Sequence, residues 1–105
     1  MKRSVLFAAG LGLLSSAGWA QQPPSEAVVA RSLAASCANC HGTNGQARGD
    51  MKPLAGMSAA KIVAALADFK SGAQPATVMH QIAKGYTDEQ IKLIANYMAA
   101  QPAPK

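Results

Sequence analysis

The chain has 105 residues, a length that allows no more than one small domain. Its formal charge of +5 comes from dispersed basic residues and not from a basic run among aromatic residues, so a nucleic-acid surface is not expected. Its five acidic residues are interpreted as surface and helix-capping residues, so the sequence offers no acid–base constellation for an enzyme. We interpret the positive charge as a solvated surface, with mild steering toward an acidic partner as the alternative.

The N-terminal segment has the layout of a secretory signal peptide. Two basic residues come first, residues 5–14 form an apolar core, and small residues lead to an expected cleavage after Ala20. The apolar run is well short of the ~20 residues that a membrane-spanning helix needs, so no membrane anchor is expected after cleavage. We therefore predict a signal peptide over residues 1–20 and a mature periplasmic domain over residues 21–105.

The first helix of the mature domain is predicted from about Glu26 to Ser36. Ser25 is a suitable N-cap, and the acidic Glu26 is favourable in the first turn. Apolar residues at helical spacing give the helix a side to bury, and it leads directly into the two cysteines of the chain.

The segment Cys37-Ala38-Asn39-Cys40-His41 has the pattern C-x-x-C-H, which is typical of attachment of a c-type haem. Two thiols separated by two residues share one short turn, where both can add to the vinyl groups of one porphyrin. The histidine that follows is then held on one face of the iron. We predict that Cys37 and Cys40 bind one haem c covalently and that His41 is an axial ligand of its iron.

Two other kinds of site contain a C-x-x-C pair. A thioredoxin-like redox pair would need strand–helix–strand surroundings, whereas a helix and a loop are predicted here. A zinc site needs four ligands, and the chain has one histidine besides His41, which is His80. The haem motif is the more specific interpretation. Because it uses both thiols, the haem is expected to stabilise this small domain in place of a disulfide, and the haem-free protein is expected to fold poorly.

The segment over residues 42–56 is rich in glycine and polar residues and is predicted to be a loop. It has no glycine pattern typical of phosphate binding. A histidine that ligates a metal nearly always donates its second N–H to an acceptor. Pro53 lacks an N–H but keeps its carbonyl, and it is our candidate for the acceptor from His41.

Three more helices are predicted after this loop. One runs from about Ala59 to Lys70, with Ser58 as N-cap and Gly72 as stop. A short one covers residues 78–84, and the last follows a capping-box pattern that starts at Thr87. No run alternates with period two for long enough to be a strand. The predicted fold class is therefore all-α.

An electron carrier needs a second strong-field ligand on the opposite face of the iron, and methionine suits it because it raises the potential. Met98 lies on the predicted buried stripe of the last helix, and Met51 is close to the haem motif in sequence. Met79 follows a proline-broken loop, far enough along the chain to reach the opposite face. We predict Met79 as the second axial ligand, with Met57 and His80 as alternatives.

Residues 21–105 resemble a class I cytochrome c, and they look most like the cytochrome subunit of flavocytochrome c sulfide dehydrogenases. The segments that carry the resemblance are Ser36-Cys37-Ala38-Asn39-Cys40-His41-Gly42, Pro53-Leu54-Ala55-Gly56, Asp68-Phe69-Lys70-Ser71-Gly72, Ala76-Thr77-Val78-Met79 and Ile82-Ala83-Lys84-Gly85-Tyr86-Thr87-Asp88. The resemblance implies first and last helices that cross near one haem. It supports the roles given above to Cys37, Cys40, His41, Met79 and Pro53, and it implies a flavoprotein partner that oxidises sulfide.

The expected function is that of a periplasmic electron carrier or electron-transfer subunit, in which the haem supplies the chemistry. One alternative is a free-standing soluble shuttle to an oxidase or reductase. Another is a haem protein with an open distal position that binds small ligands. A third is a metal-binding or thiol module without haem. The chain is not expected to be an enzyme by itself.

Overall fold

The computed structural model describes Gly18 and residues 21–105, so the predicted signal peptide and its cleavage site lie outside the described residues apart from Gly18. Within residues 21–105 five α-helices follow one another: α1 (Glu26–Ala35), α2 (Ala38–His41), α3 (Ala59–Ser71), α4 (Met79–Lys84) and α5 (Asp88–Ala99). A 3-10 turn at Thr43–Gly45 follows α2. Residues 21–105 contain no strand, which confirms the predicted all-α class. None of these helices has the length and apolar character needed to cross a bilayer.

The helices begin and end at the capping residues that the sequence predicted. The Ser25 hydroxyl accepts the Val28 N–H at 3.4 Å, and Ser58 caps α3 in the same way. At the start of α5, Thr87 and Gln90 exchange side-chain and backbone hydrogen bonds in a complete capping box. Gly72 ends α3 in a left-handed conformation at φ 83°. The predicted caps are therefore confirmed, and the predicted bounds of α1, α3 and α4 agree with the structure within one residue, whereas the short helix α2 was not predicted.

The helices pack in a chain of contacts in which α1 lies on α5, α5 on α3, and α3 on α4. The buried cluster joins α1, α3 and α5, and its members are Ala34, Ile62, Ile94, Ala95 and Met98. Alanines on both sides of the contact let α1 approach α5 closely, since Ala34 and Ala95 are almost fully buried. The first and last helices thus form the centre of the fold.

The apolar core is small for a chain of this length. Among the described residues nine hydrophobic side chains are buried, and only Ile62, Ile91, Ile94 and Met98 of these are larger than alanine. No polar or charged side chain of residues 21–105 is buried with them. Because each large side chain contributes about 1.5–3 kcal/mol when buried, this set provides limited stability. A further apolar surface is therefore needed to hold the domain together.

The loop between α2 and α3 is fixed to the end of α5. The Gly45 carbonyl accepts the N–H groups of Leu54 and Ala55 at 3.0 and 3.1 Å, and Gly56 N–H donates to the Met98 carbonyl at 3.0 Å. Gly45 has φ +75°, and a Cβ there would come within 2.9 Å of the Met98 sulfur. Only glycine fits this close approach. The loop is therefore held in a defined position beside the cysteine segment.

Candidate functional site

The two cysteines share one helical turn that follows α1 almost without interruption. The Cys37 N–H still donates to the Ala34 carbonyl at 3.1 Å, and the His41 N–H donates to the Cys37 carbonyl at 2.8 Å. Residues three apart on a helix lie on the same side, so Cys37 and Cys40 are neighbours on one surface. Both thiols are free, Cys37 half-buried and Cys40 exposed. The turn therefore offers two thiols and one imidazole within five residues.

Gly42 ends this turn directly after the histidine. Its backbone has φ 78° and ψ 161°, a combination that is essentially limited to glycine. A Cβ at this position would lie 2.2 Å from the Gln46 carbonyl oxygen, closer than any side chain allows. The chain can thus turn away behind His41 only because this residue has no side chain.

The His41 ring is fixed by one hydrogen bond, from Nδ1 to the backbone carbonyl of Lys52 at 2.7 Å. A carbonyl oxygen can only accept, so Nδ1 carries the proton and donates. The other nitrogen, Nε2, then keeps its lone pair and can ligate a metal. A backbone acceptor of this kind also fixes the ring orientation and increases the basicity of the ligating nitrogen.

The prediction that Pro53 provides this acceptor is wrong by one residue. The acceptor is the carbonyl of Lys52, the residue directly before the proline. A proline restricts the residue that precedes it to extended backbone, and this restriction is the contribution that Pro53 makes to the site. Sequence spacing could identify this loop segment but could not decide which of two consecutive carbonyls is directed at the ring.

The environment of Cys37 keeps its thiol protonated. Burial raises the pKa of the Cys37 thiol, while the neighbouring Ser36 side chain and the backbone at Cys37 act in the opposite direction. A raised thiol pKa means that Cys37 is a neutral S–H at neutral pH and not a reactive thiolate. Addition of an S–H bond across a vinyl group gives a thioether with no further reactant.

The structure separates the candidates for the second axial ligand by their surroundings. Met98 is 1% exposed in the core, and Met57 is partly buried against the core cluster. Met51 is 43% exposed on the loop. Met79 and His80 are the first two residues of α4 and are half-buried. Packing thus accounts for Met57 and Met98, whereas Met79 and His80 remain free for another role.

His80 has one feature that sequence reasoning did not find. Its Nδ1 is shielded from solvent and has no hydrogen-bond partner among the described residues. A buried ring nitrogen without a partner is uncommon, because leaving it unsatisfied costs free energy. His80 therefore stays beside Met79 as the alternative ligand, and no pattern in the sequence indicated its unpaired nitrogen.

Two tyrosines that the sequence did not mark as functional contact the cysteine segment and the loop after it. The Tyr97 hydroxyl donates to Asn44 Oδ1 at 2.7 Å, and Asn44 is the one non-glycine residue of the described chain at positive φ, 55°. The Tyr86 hydroxyl pairs with the Ser36 hydroxyl, directly before Cys37. The partners are 53 and 50 residues apart in sequence, which is why spacing could not reveal these contacts.

The donor set fits a covalently attached haem better than the two other kinds of site. Residues 21–105 contain no strand, so the cysteines do not lie in thioredoxin-like surroundings. In the same residues no three His, Cys, Asp or Glu side chains form a group that could hold a metal ion, so a zinc site lacks its remaining ligands. Two thiols on one surface and one oriented imidazole match the needs of a c-type haem.

Comparisons with known proteins agree with this geometry. The family model described as cytochrome c matches residues 27–101. The cytochrome subunit of sulfide dehydrogenase from Chlorobaculum tepidum is 41% identical over 101 residues, covering 89% of this chain and 92% of that protein. The thiosulfate dehydrogenase electron acceptor of Stutzerimonas stutzeri is 38% identical over 77 residues, covering 71% of this chain and 36% of that protein.

A solved structure shows the same fold. Cytochrome c4 of Acidithiobacillus ferrooxidans superposes with a TM-score of 0.62 at 32% identity, over 77% of this chain and 58% of that one. The predicted class I cytochrome fold and the predicted haem c cofactor are therefore confirmed. With its C-x-x-C-H turn, its helical fold and these relatives, the chain belongs to the cytochrome c family, and it is an electron carrier with covalently bound haem c and not an enzyme.

Proposed function

We propose that this chain is a periplasmic electron-transfer protein that holds its haem through Cys37 and Cys40, with His41 and Met79 as the axial ligands of the iron. The observation that carries the proposal is the 2.7 Å hydrogen bond from His41 Nδ1 to the Lys52 carbonyl. It directs the proton to Nδ1 and leaves Nε2 as the ligating atom, directly after two free thiols.

The residues of the chain set how readily the site accepts and releases an electron. When bound, the haem supplies the one-electron couple. Lys52 holds the imidazole ring in one orientation and makes it a stronger ligand. A methionine sulfur on the opposite face raises the potential, which suits a carrier that accepts electrons from an enzyme. Met79 is the methionine that core packing leaves available near a helix start, with His80 as the alternative.

The route for electrons passes through the exposed part of the cysteine turn. Asn39 and Cys40 are exposed, and Ala38 and Ala76 are half-buried. These short side chains let a partner approach the attachment edge closely. We therefore assign the partner-docking edge to the surface around these residues.

The partner that we propose is a flavoprotein that oxidises sulfide. The support is the Chlorobaculum tepidum sulfide dehydrogenase cytochrome subunit, which aligns over nearly its whole length. The second candidate is a free-standing shuttle that accepts electrons from a thiosulfate-oxidising enzyme. It is favoured by the Stutzerimonas stutzeri electron acceptor, although the chain spans only 36% of that protein.

The test starts with the protein expressed from its full sequence in a host that attaches haem c, and recovered from the periplasm. We expect an N-terminus at Gln21, a low-spin reduced spectrum and a methionine-sulfur band in the oxidised spectrum. A high-spin spectrum, together with rapid binding of carbon monoxide by the reduced protein, would instead support an open-site haem protein. Recovery with the signal sequence attached would refute the proposed cleavage.

The partner is tested by electron transfer in a mixture of purified proteins. We expect sulfide to reduce the haem rapidly when a flavoprotein sulfide dehydrogenase subunit is present and slowly when it is absent. The matched control replaces sulfide and flavoprotein with thiosulfate and thiosulfate dehydrogenase. Faster reduction in the control mixture would favour the free-standing shuttle.

A further inference from the structure

Tyr86 lies two residues after α4 and is held at both ends. Its hydroxyl pairs with the Ser36 hydroxyl, and its carbonyl accepts from Lys70 Nζ of α3 at 2.7 Å. Between these two bonds its ring packs against the buried cluster. Tyr86 therefore connects the segment after α4 to the residue directly before Cys37.

The bond between the two hydroxyl groups has a fixed direction. The Ser36 hydroxyl lies 2.9 Å from the Leu33 carbonyl, which can only accept. A hydroxyl has one proton, so Ser36 donates to Leu33 and must accept from Tyr86. Tyr86 is thus the donor, and a phenylalanine in its place would remove the bond without changing the shape of the ring.

Helix α4 packs on α3, but its own sequence does little to fix its position. It has six residues, and no side chain caps its start at Val78. Its one buried residue is Ala83, while Val78 and Ile82 are 49% and 38% exposed. A helix this short does not hold its shape in water without contacts from the rest of the fold. Its contacts are packing on α3 and the links made by Tyr86.

Lys70 extends the link to the start of α5. Its Nζ also lies 3.3 Å from Asp88 Oδ1 at the start of α5. The Asp88 side chain is 81% exposed, so this ion pair is weak. The bond to the Tyr86 carbonyl, which is partly buried, is the stronger of the two contacts. Tyr86 is therefore held by α3 through its backbone and by the cysteine turn through its side chain.

We propose that Tyr86 is a positioning residue that holds α4, and with it Met79, at a fixed place relative to the Cys37–His41 turn. The proposal rests on the proposed role of Met79 as an axial ligand. Met79 and Tyr86 are seven residues apart, and the rigid turns of α4 lie between them. Loss of the Tyr86 hydroxyl should let α4 move away from the turn more often without unfolding the domain.

The experiment compares haem-loaded wild-type protein with Tyr86→Phe and Ser36→Ala. Two rates are measured, amide hydrogen exchange of Ile82 and Gly85 and the displacement of the methionine by cyanide. We expect both rates to rise roughly 3- to 10-fold in each variant, the factor that one hydrogen bond provides. The double variant should be no faster than either single variant, because both remove the same bond.

The matched control is Tyr97→Phe, which removes one tyrosine hydroxyl bond on the loop that follows the cysteine turn. It should lower the denaturation midpoint but leave both α4 rates unchanged relative to the wild type. This control separates a loss of overall stability from a local effect on α4. Equal acceleration by Tyr97→Phe would overturn the positioning role.

The remaining outcomes separate the two proposals. Unchanged cyanide rates in Tyr86→Phe and Ser36→Ala, with the methionine band intact, would overturn the positioning role alone. Faster α4 exchange with unchanged cyanide rates would do the same, because α4 would then move without moving the ligand. Absence of the methionine band from the wild type would refute the assignment of Met79 in the proposed function itself.

Discussion

Gly42 limits which residue can follow His41, the proposed axial ligand. Gly49 also has positive φ, 64°, but a Cβ there would meet nothing within 4 Å. Replacing Gly49 with alanine should therefore cost about 1–2 kcal/mol from backbone strain alone. Gly42→Ala should cost roughly 1–3 kcal/mol more, because the new Cβ meets the Gln46 carbonyl and the backbone leaves a glycine-only region.

Guanidinium denaturation of the two haem-loaded variants measures this difference, and the fraction of chains with attached haem is measured beside it. We expect Gly42→Ala to lower both values and Gly49→Ala to lower the midpoint slightly. Equal losses in the two variants would show that the contact with Gln46 relaxes without cost.

The second axial ligand is the residue-scale assignment that spectroscopy can decide. Met79→Leu should remove the methionine-sulfur band and lower the potential by on the order of a tenth of a volt, within the range of about 0.8 V that axial ligands set. Met57→Leu is the matched control, because Met57 packs on the core cluster and should keep both properties. A band that survives Met79→Leu would transfer the assignment to Met57 or point to another ligand.

Some single residues of the site could be predicted from the sequence, and others could not. The haem c cofactor, which the family comparison confirms, could be predicted because the C-x-x-C-H spacing is local and needs no knowledge of the fold. The individual roles of Cys37, Cys40 and His41 stay predictions. The acceptor from His41 was placed at Pro53 but is Lys52, because the direction of a loop carbonyl depends on contacts eleven residues away. The axial role of Met79 stays a prediction.

At the scale of single elements, helix α5 holds the largest share of the core. Ile91, Ile94, Ala95 and Met98 are its buried residues. Met98→Ala should cost about 2–5 kcal/mol, because it removes a fully buried side chain and leaves a cavity beside Gly45. Met51→Ala, at a methionine that is 43% exposed, should stay within roughly 0.5 kcal/mol of the wild type.

Thermal or guanidinium denaturation gives the two values, with the haem spectrum recorded for each variant. We expect the methionine-sulfur band to be unchanged in both, because neither residue is assigned to the iron. A denaturation midpoint of Met98→Ala close to that of the wild type would mean that α1 and α5 repack and fill the cavity left by the methionine side chain.

The helices and their caps were the part of the structure that the sequence predicted best. Caps such as Ser58, Thr87 and Gly72 act on residues within one turn, so their chemistry is visible in a few letters of sequence. The contact between Tyr86 and Ser36 joins residues fifty positions apart, and nothing in either neighbourhood indicates the other. Local patterns thus predicted four of the five described helices. The contacts that fix how these helices pack could be seen only in the structure.

For the whole molecule, the small core predicts strong dependence on the haem. The double variant Cys37→Ala, Cys40→Ala cannot retain a covalent haem, and in residues 21–105 only four large side chains are buried among the five helices. We expect it to lose most of its helical circular dichroism and its cooperative thermal transition. The wild-type protein from the same host is the control, and a cooperative transition at a similar temperature in the variant would contradict this expectation.

The contact between α1 and α5 also determines the order of folding. It joins Ala34 to Ala95, so a loop of about sixty residues must close before the core exists. Closing such a loop costs about 4 kcal/mol of chain entropy, and contacts this distant in sequence form late. The cysteine turn next to α1 therefore stays accessible until α5 packs on α1. Haem can therefore be attached while the chain is open, and we expect the chain to close around the cofactor afterwards.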